Sequence, residues 1–344
     1  MTRNKPFRKG AALERLSAGL TRQLQDDLTN EEAARLDQAD FAVVGSSESE
    51  AENTGYSGYS YWRCTLEVFW KNRLARVMLL ALAALVLFTV IQPYLPGQRP
   101  PAQIYDNADG TVMRNVAPNG EFWFGTNSVG QDLWSRIWAG TRMSLLLALI
   151  VALSDCVIGI TVGVLWGYVR RLDAVLTEAY NIIDNIPRTI ILILVSYIMK
   201  PGMLTMVVSM CVVGWLGMAR FIRNQIVMIR DRDYNLASRC LGSRTRKIIL
   251  KNLLPYLVSV IMLQTALAIP SVISDEVFLT YCGLGMPKAV ASLGNLVEDG
   301  RKVMMSPSLR YQLIFPALVV SFITIAFYLV GSAFADASDP RNHV

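Results

Sequence analysis

The sequence predicts an all-α polytopic membrane protein with six transmembrane helices and both termini on the cytoplasmic side. Three observations predict it. Of 344 residues, 53% are hydrophobic and only 17% charged, against about 25% charged in a soluble domain. The apolar excess falls into runs close to the roughly 20 residues that cross about 30 Å of hydrocarbon as a helix. Lys and Arg gather in alternate connections: 24 of the 33 fall in segments that the positive-inside rule then assigns to the cytoplasm.

Residues 1–70 are polar and highly charged. Leu13, Leu16, Leu20, Leu24 and Leu28 recur three and four apart, so residues 11–37 can form an amphipathic helix. GSSESEAENTGYSGYS at 45–60 reads as a flexible linker. The start has no signal-peptide core, so no cleavage is expected.

Span one covers about 77–91. Arg63, Lys71, Arg73 and Arg76 precede it and set its orientation. Pro93, Pro96, Pro100 and Pro101 force an extended exit. The external segment that follows turns at Asp109-Gly110. From Gln131 onward, Leu133, Ile137 and Trp138 suggest a short amphipathic helix, with Trp134 and Trp138 suited either to the membrane interface or to capping the bundle.

Span two covers about 143–166. Gly159, Gly163 and Gly167 make a small-residue face for close helix packing. Asp155 lies mid-span, where an acid is either functional or bonded to a neighbouring helix or a water-lined cavity. Span three, about 186–199, begins at Pro187, which predicts a local kink. Span four covers about 203–221. Span five covers about 256–273, where Ser274-Asp275-Glu276 interrupts the apolar run. Gly283-Leu284-Gly285 and Pro287 form a bend, and LGNLVEDGRKVM reads as a short surface helix. Span six covers about 313–334.

The loop between spans four and five is the most distinctive stretch. Asp231 and Asp233 precede a short helix, where acids complement its dipole. Leu236, Ala237, Cys240 and Leu241 offer a small apolar patch. Gly242 permits a sharp turn. Arg244, Arg246, Lys247 and Lys251 then cover a basic face. A short exposed helix with an apolar patch, held by a rigid turn, can sit in a partner's groove.

This loop resembles the EAA loop of ABC-importer permeases, here as Leu236-Ala237-Ser238, then Gly242, then Leu253-Leu254-Pro255. More narrowly, the chain is similar to the second membrane subunit of the oligopeptide/dipeptide permease family. FGTNSVGQDLWSR before span two, GWLGMARFIRNQI at 214–226, FLTYCGLGMPK with Glu276 ahead of it, and DASDPR near the end follow the family's order and spacing. The resemblance implies a type I importer fold. With the spans read above, the chain is expected to divide into a cytoplasmic N-terminal extension at 1–70, which the resemblance does not cover, a first transmembrane helix and external segment at 71–142, a permease core at 143–337 carrying the coupling loop 231–255, and a cytoplasmic tail at 338–344.

The resemblance also implies function: half of a translocation pore for oligo- or dipeptides, in the bacterial cytoplasmic membrane. The implied partners are a second permease subunit, two cytoplasmic ABC ATPases and an external solute-binding protein. Nickel, glutathione or oligosaccharides are the alternative substrates. By the same carry-over, Tyr234, Leu236, Ala237, Ser238, Arg239, Leu241, Gly242, Ser243 and Arg244 form the helix that docks on the ATPase. Leu236 departs from the acid usual at its position, which points to apolar rather than charged contact. Asp155, where a small or hydroxyl residue is usual, and Glu276 are candidates for the substrate path.

The residues bound the remaining classes. No GxxxxGK[ST] sequence occurs, so ATP hydrolysis is expected on a partner and the chain is not expected to be an enzyme. The five cysteines are scattered without a CxxC, and the single histidine is His343. No metal site or cofactor is therefore expected. An ion-coupled secondary transporter would need buried ionisable relays or inverted repeats, and Asp155 is the one strong candidate for such a group.

Overall fold

The protein is described by a computed structural model covering residues 61–338. The helix expected at 11–37, the linker at 45–60 and the tail beyond residue 338 lie outside the described residues. Among the described residues the regular secondary structure is helical, with three isolated β-bridges, Ile104–Gln131, Asp106–Val112 and Thr126–Asp132, in the irregular segment before residue 133.

Helix α1 (Tyr61–Lys71) is amphipathic and Asn72 separates it from α2 (Arg73–Ile91). The Asn72 side chain accepts from the Ala75 N–H at 3.2 Å, satisfying one of the free donors at the start of α2. Phe69 of α1 meets Phe334 near the C-terminal end of the last helix, with ring centroids 6.1 Å apart.

Helix α3 (Leu133–Tyr168) runs unbroken for 36 residues. The short helix predicted from Gln131 and span two are therefore one element. Its start is fixed by Asp132, whose Oδ2 accepts from the Ser135 N–H and hydroxyl at 3.1 and 2.6 Å. The chain before it is a folded cap, not a bare linker. Asp109-Gly110 turns as predicted, with Gly110 at φ +73°. Phe124 stacks on Phe315 at 4.1 Å, and Trp134 and Trp138 pack at 4.8 and 4.7 Å against Phe124 and Phe88. The two tryptophans thus take the capping role.

Helices α4 (Arg170–Asp184) and α5 (Arg188–Ile198) meet at an angle of 79°. The predicted kink at Pro187 is a full break. Proline supplies no N–H to continue the ladder and drives Ile186 out of the helical region. Eleven residues in α5 rise only about 16 Å, roughly half the hydrocarbon thickness.

Helix α6 (Met203–Ile229) extends past the predicted end at 221. The chain then forms α7 (Asp233–Cys240), α8 (Thr245–Ile248), a π turn over Ile249–Leu253 and α9 (Leu254–Tyr281). Helix α9 does not stop at 273 as predicted. Asp275 is neutralised by Arg188 at 2.7 Å, and Glu276 accepts from a backbone N–H, so the acidic pair does not end the helix. Helices α10 (Leu293–Val303) and α11 (Tyr311–Ser338) complete the chain. The helices α2, α3, α6 and α11 and the continuous 245–281 run are each long and apolar enough to cross a membrane; the bent α4–α5 pair makes six if it is one span.

The α3–α6 pair is the spine of the bundle. A Cβ on Gly159 would lie 2.6 Å from Met218 Cβ, one on Gly163 2.5 Å from the Ala219 carbonyl, and one on Gly167 2.8 Å from Ile226 Cβ. The glycine face read from the sequence is thus the contact itself. In lipid, where apolar surface gains little by leaving the solvent, such close backbone approach is what holds helices together. Around it, Leu147 and Val151 of α3, Leu192 of α5, Met206 and Met210 of α6, Ile273 of α9 and Ile323 of α11 form the main core.

Candidate functional site

The loop after α6 is held by polar contacts and turned inside out. Asn235 is the one position of α7 that is fully buried, at 0% exposure. Its amide donates to the Ile229 carbonyl at 2.8 Å. Asn252, on the π turn, donates to Asn235 Oδ1 at 3.2 Å and to the Ser238 hydroxyl at 3.3 Å. The apolar side chains point the other way. Tyr234, Leu236 and Leu241 are 47, 43 and 85% exposed, and Ala237 is exposed beside them. A soluble helix of this length would bury those residues and expose Asn235.

Asp231 fixes the loop to the rest of the bundle. Its carboxylate meets Arg170 and Arg230 at 3.3 Å and Arg239 at 3.4 Å. Arg230 also donates to the Gly167 carbonyl at the end of α3, and Arg239 to the Arg230 carbonyl at 3.0 Å. Desolvation pushes the Asp231 carboxyl up, but the Arg230 and Arg170 guanidiniums outweigh it and hold the group below its ordinary range. Asp231 precedes α7, on the side where an acid complements the helix dipole, and it is also the junction of three arginines.

The end of α7 is a Schellman turn. Gly242 has φ +73°. The Ser243 N–H donates to the Ser238 carbonyl at 3.0 Å and the Gly242 N–H to the Arg239 carbonyl at 2.9 Å, the paired bonds of that motif. Arg244, Arg246, Lys247 and Lys251 beyond it are exposed. The residues Tyr234, Leu236, Ala237, Leu241 and Arg244 therefore form one outward surface, while Ser238, Arg239, Gly242 and Ser243 hold its shape.

The two intramembrane acids lie apart. Asp155, 7% exposed, lines a cavity between α3, α5, α6 and α9. Glu276, 0% exposed, is absent from that lining and accepts from the Gly294 N–H at 3.3 Å, at the start of α10. Sequence reasoning did not find Asn235, Asn252 or the Arg188–Asp275 pair. An asparagine inside a short apolar patch was the available signal for the first; the others join segments far apart in the chain.

Comparison with known proteins places this architecture. Residues 159–344 match the family described as binding-protein-dependent transport system inner membrane component. The oligopeptide transport system permease protein AmiD of Streptococcus pneumoniae is 37% identical over 308 residues, 90% of this chain and 99% of that relative. The dipeptide transport system permease protein DppC of Bacillus subtilis is 33% identical, over 88% of this chain and 92% of the relative. The oligopeptide transport system permease protein OppC of the same organism is 30% identical, over 88 and 96%. A solved structure of the MetNI methionine ABC transporter in inward-facing conformations aligns at a TM-score of 0.48 with 19% identity, over 59% of this chain and 96% of that one. The chain belongs to the binding-protein-dependent transport system inner membrane components, and it is a multi-pass permease of the bacterial inner membrane.

Proposed function

We propose that this chain is the membrane subunit of an ATP-driven type I importer, forming half of a pore for oligo- or dipeptides delivered by an external binding protein. A second permease forms the other half, and two ABC ATPases bind on the cytoplasmic side, where both termini lie. Helix α7 is the ATPase-docking element. The observation that carries this reading is the inverted polarity of α7: its asparagine is bonded inward while Tyr234, Leu236 and Leu241 face out. Apolar side chains held outward on a braced helix suit the groove of a protein partner. The names of the similar permeases supply the peptide class.

The mechanism is a shift between two states of the pore. ATP binding closes the ATPases and displaces the α7 surfaces. Because Arg239 of α7 is bonded to Arg230, which holds the Gly167 carbonyl at the end of α3, and Asn235 to Asn252 on the π turn ahead of α9, that displacement passes into spanning helices. Coupling requires the ATPases to bind the two permease states with different affinity. The test is uptake of a labelled tripeptide by proteoliposomes holding this chain, its partner permease, the ATPases and the binding protein. Uptake that needs ATP and all partners is expected. Uptake by the chain alone down an ion gradient would overturn the reading in favour of a secondary transporter.

A further inference from the structure

Helices α3, α5, α6 and α9 line an open cavity of about 300 Å3, with Asp155, Arg188, Gly214, Gly217, Gln264 and Ser271 among its walls. Asp155 is more than nine-tenths buried, and its Oδ1 has no hydrogen-bond partner. A carboxylate held out of water without a partner is costly, and such groups are ordinarily paired. Arg188 lines the same cavity, but its guanidinium is bonded to Asp275 at 2.7 Å. That pair is neutral as a unit. The cavity therefore carries one acid without an ion-pair partner.

The space around that group is built. Gly214 faces Asp155 across the α3–α6 contact, and a Cβ there would lie 2.0 Å from Oδ2. Only glycine leaves room for the carboxyl. One turn on, a Cβ at Gly217 would meet nothing within 4 Å, so the cavity continues past the acid. Gln264 and Ser271 are the neutral polar residues in the lining. The volume sits at the small end of ligand sites. It fits one charged side chain or chain terminus, not a whole peptide.

We infer that this cavity is a binding site for an organic cation, the ammonium or guanidinium group of a peptide in transit, with Asp155 as its counter-charge. The inference rests on the peptide-import reading for the molecule that carries the cation. The cation-binding chemistry follows from the cavity alone.

Two arms test it on the complete complex. In nanodiscs, dicyclohexylcarbodiimide labels buried carboxyl groups, and labelling of Asp155 is followed by peptide mass spectrometry. Ala-Lys-Ala should slow that labelling several-fold, while Ala-norleucine-Ala and potassium chloride at the same concentration should not. Equal protection by all three probes, or by none, overturns the inference. In proteoliposomes, Asp155→Asn should lower the lysine-to-norleucine uptake ratio about tenfold, the scale of one desolvated charge pair. A ratio equal to wild type overturns it as well. Selective protection in a complex that imports neither peptide would support the cation site and reject peptide import. The labelling arm uses wild-type protein, so it decides even where Asp155→Asn does not fold.

Discussion

Asn252 donates to Asn235 across 3.2 Å, and this bond, with a second to the Ser238 hydroxyl, joins the π turn ahead of α9 to α7. Asn235 in turn holds the Ile229 carbonyl at the end of α6. Replacing Asn235 by Ala removes both bonds, at about 0.5–1.5 kcal/mol each, while the Ile229 carbonyl keeps the Arg232 N–H and Asn252 keeps Ser238. The expected result is faster amide exchange across 231–244, by about tenfold or more, with the spanning helices unchanged. In the assembled transporter, ATP hydrolysis should continue while uptake falls. Unchanged exchange in the loop would show that the asparagine pair does not brace it.

The outward face should behave in the opposite way. Leu241 is 85% exposed and Ala237 is exposed, so a charge at either position costs the isolated chain little. Ala237→Asp and Leu241→Asp should leave insertion and thermal stability within about 0.5 kcal/mol of wild type. Both should reduce co-purification of the ATPases. Gly242→Pro acts on shape: proline cannot adopt φ +73° and removes the N–H that bonds Arg239. It should uncouple hydrolysis from uptake. Full recovery of ATPases and uptake in all three variants would remove α7 from the docking surface.

Much of this arrangement is legible in the sequence because it depends on local chemistry. The apolar runs place the spans. Gly159, Gly163 and Gly167 announce the α3–α6 contact by spacing alone, and Gly242 announces the turn. The boundaries fail where distant residues compensate. Asp275 and Glu276 end an apolar run in sequence, yet the helix continues, with Arg188 paired to Asp275 and the Gly294 N–H bonded to Glu276 Oε1. Likewise the three-arginine junction at Asp231 draws on positions 170, 230 and 239, and no periodicity joins those.

The glycine spine can be tested by adding single carbons. Gly163→Ala places a methyl 2.5 Å from the Ala219 carbonyl, which is backbone and has nowhere to retreat. The two helices must separate, at about 1–3 kcal/mol. The melting temperature in detergent should drop clearly. Gly120→Ala, whose Cβ meets nothing within 4 Å, is the control and should be near neutral. Equal melting temperatures for the two variants would contradict close α3–α6 packing.

The Asp231 junction gives the loop a pH dependence of known sign. The folded carboxyl titrates below the ordinary aspartate value of 3.8. Its stabilising contribution is therefore complete above that value and is lost as pH falls through the folded one. Between pH 5 and pH 3, exchange in 231–244, corrected for intrinsic rates, should accelerate in wild type. Asp231→Asn should show the faster rate already at pH 7 and little further change. An identical pH response in both proteins would mean that Asp231 does not anchor the loop.

Glu276 and Asp155 are both buried acids, but their partners assign them different work. Glu276 Oε1 accepts from the Gly294 N–H at the first turn of α10, where a carboxylate also complements the helix dipole. It holds α10 against α9, and the cavity lined by Asp155 does not include it. Glu276→Ala removes that acceptor from a fully buried site. Amide exchange over 293–303 should rise, and the Ser292 cap on Asn295, a 3.1 Å bond, should open more often. The lysine-to-norleucine uptake ratio that Asp155→Asn changes should stay at the wild-type value. A fall in that ratio, with α10 exchange unaltered, would move Glu276 from the scaffold to the substrate path.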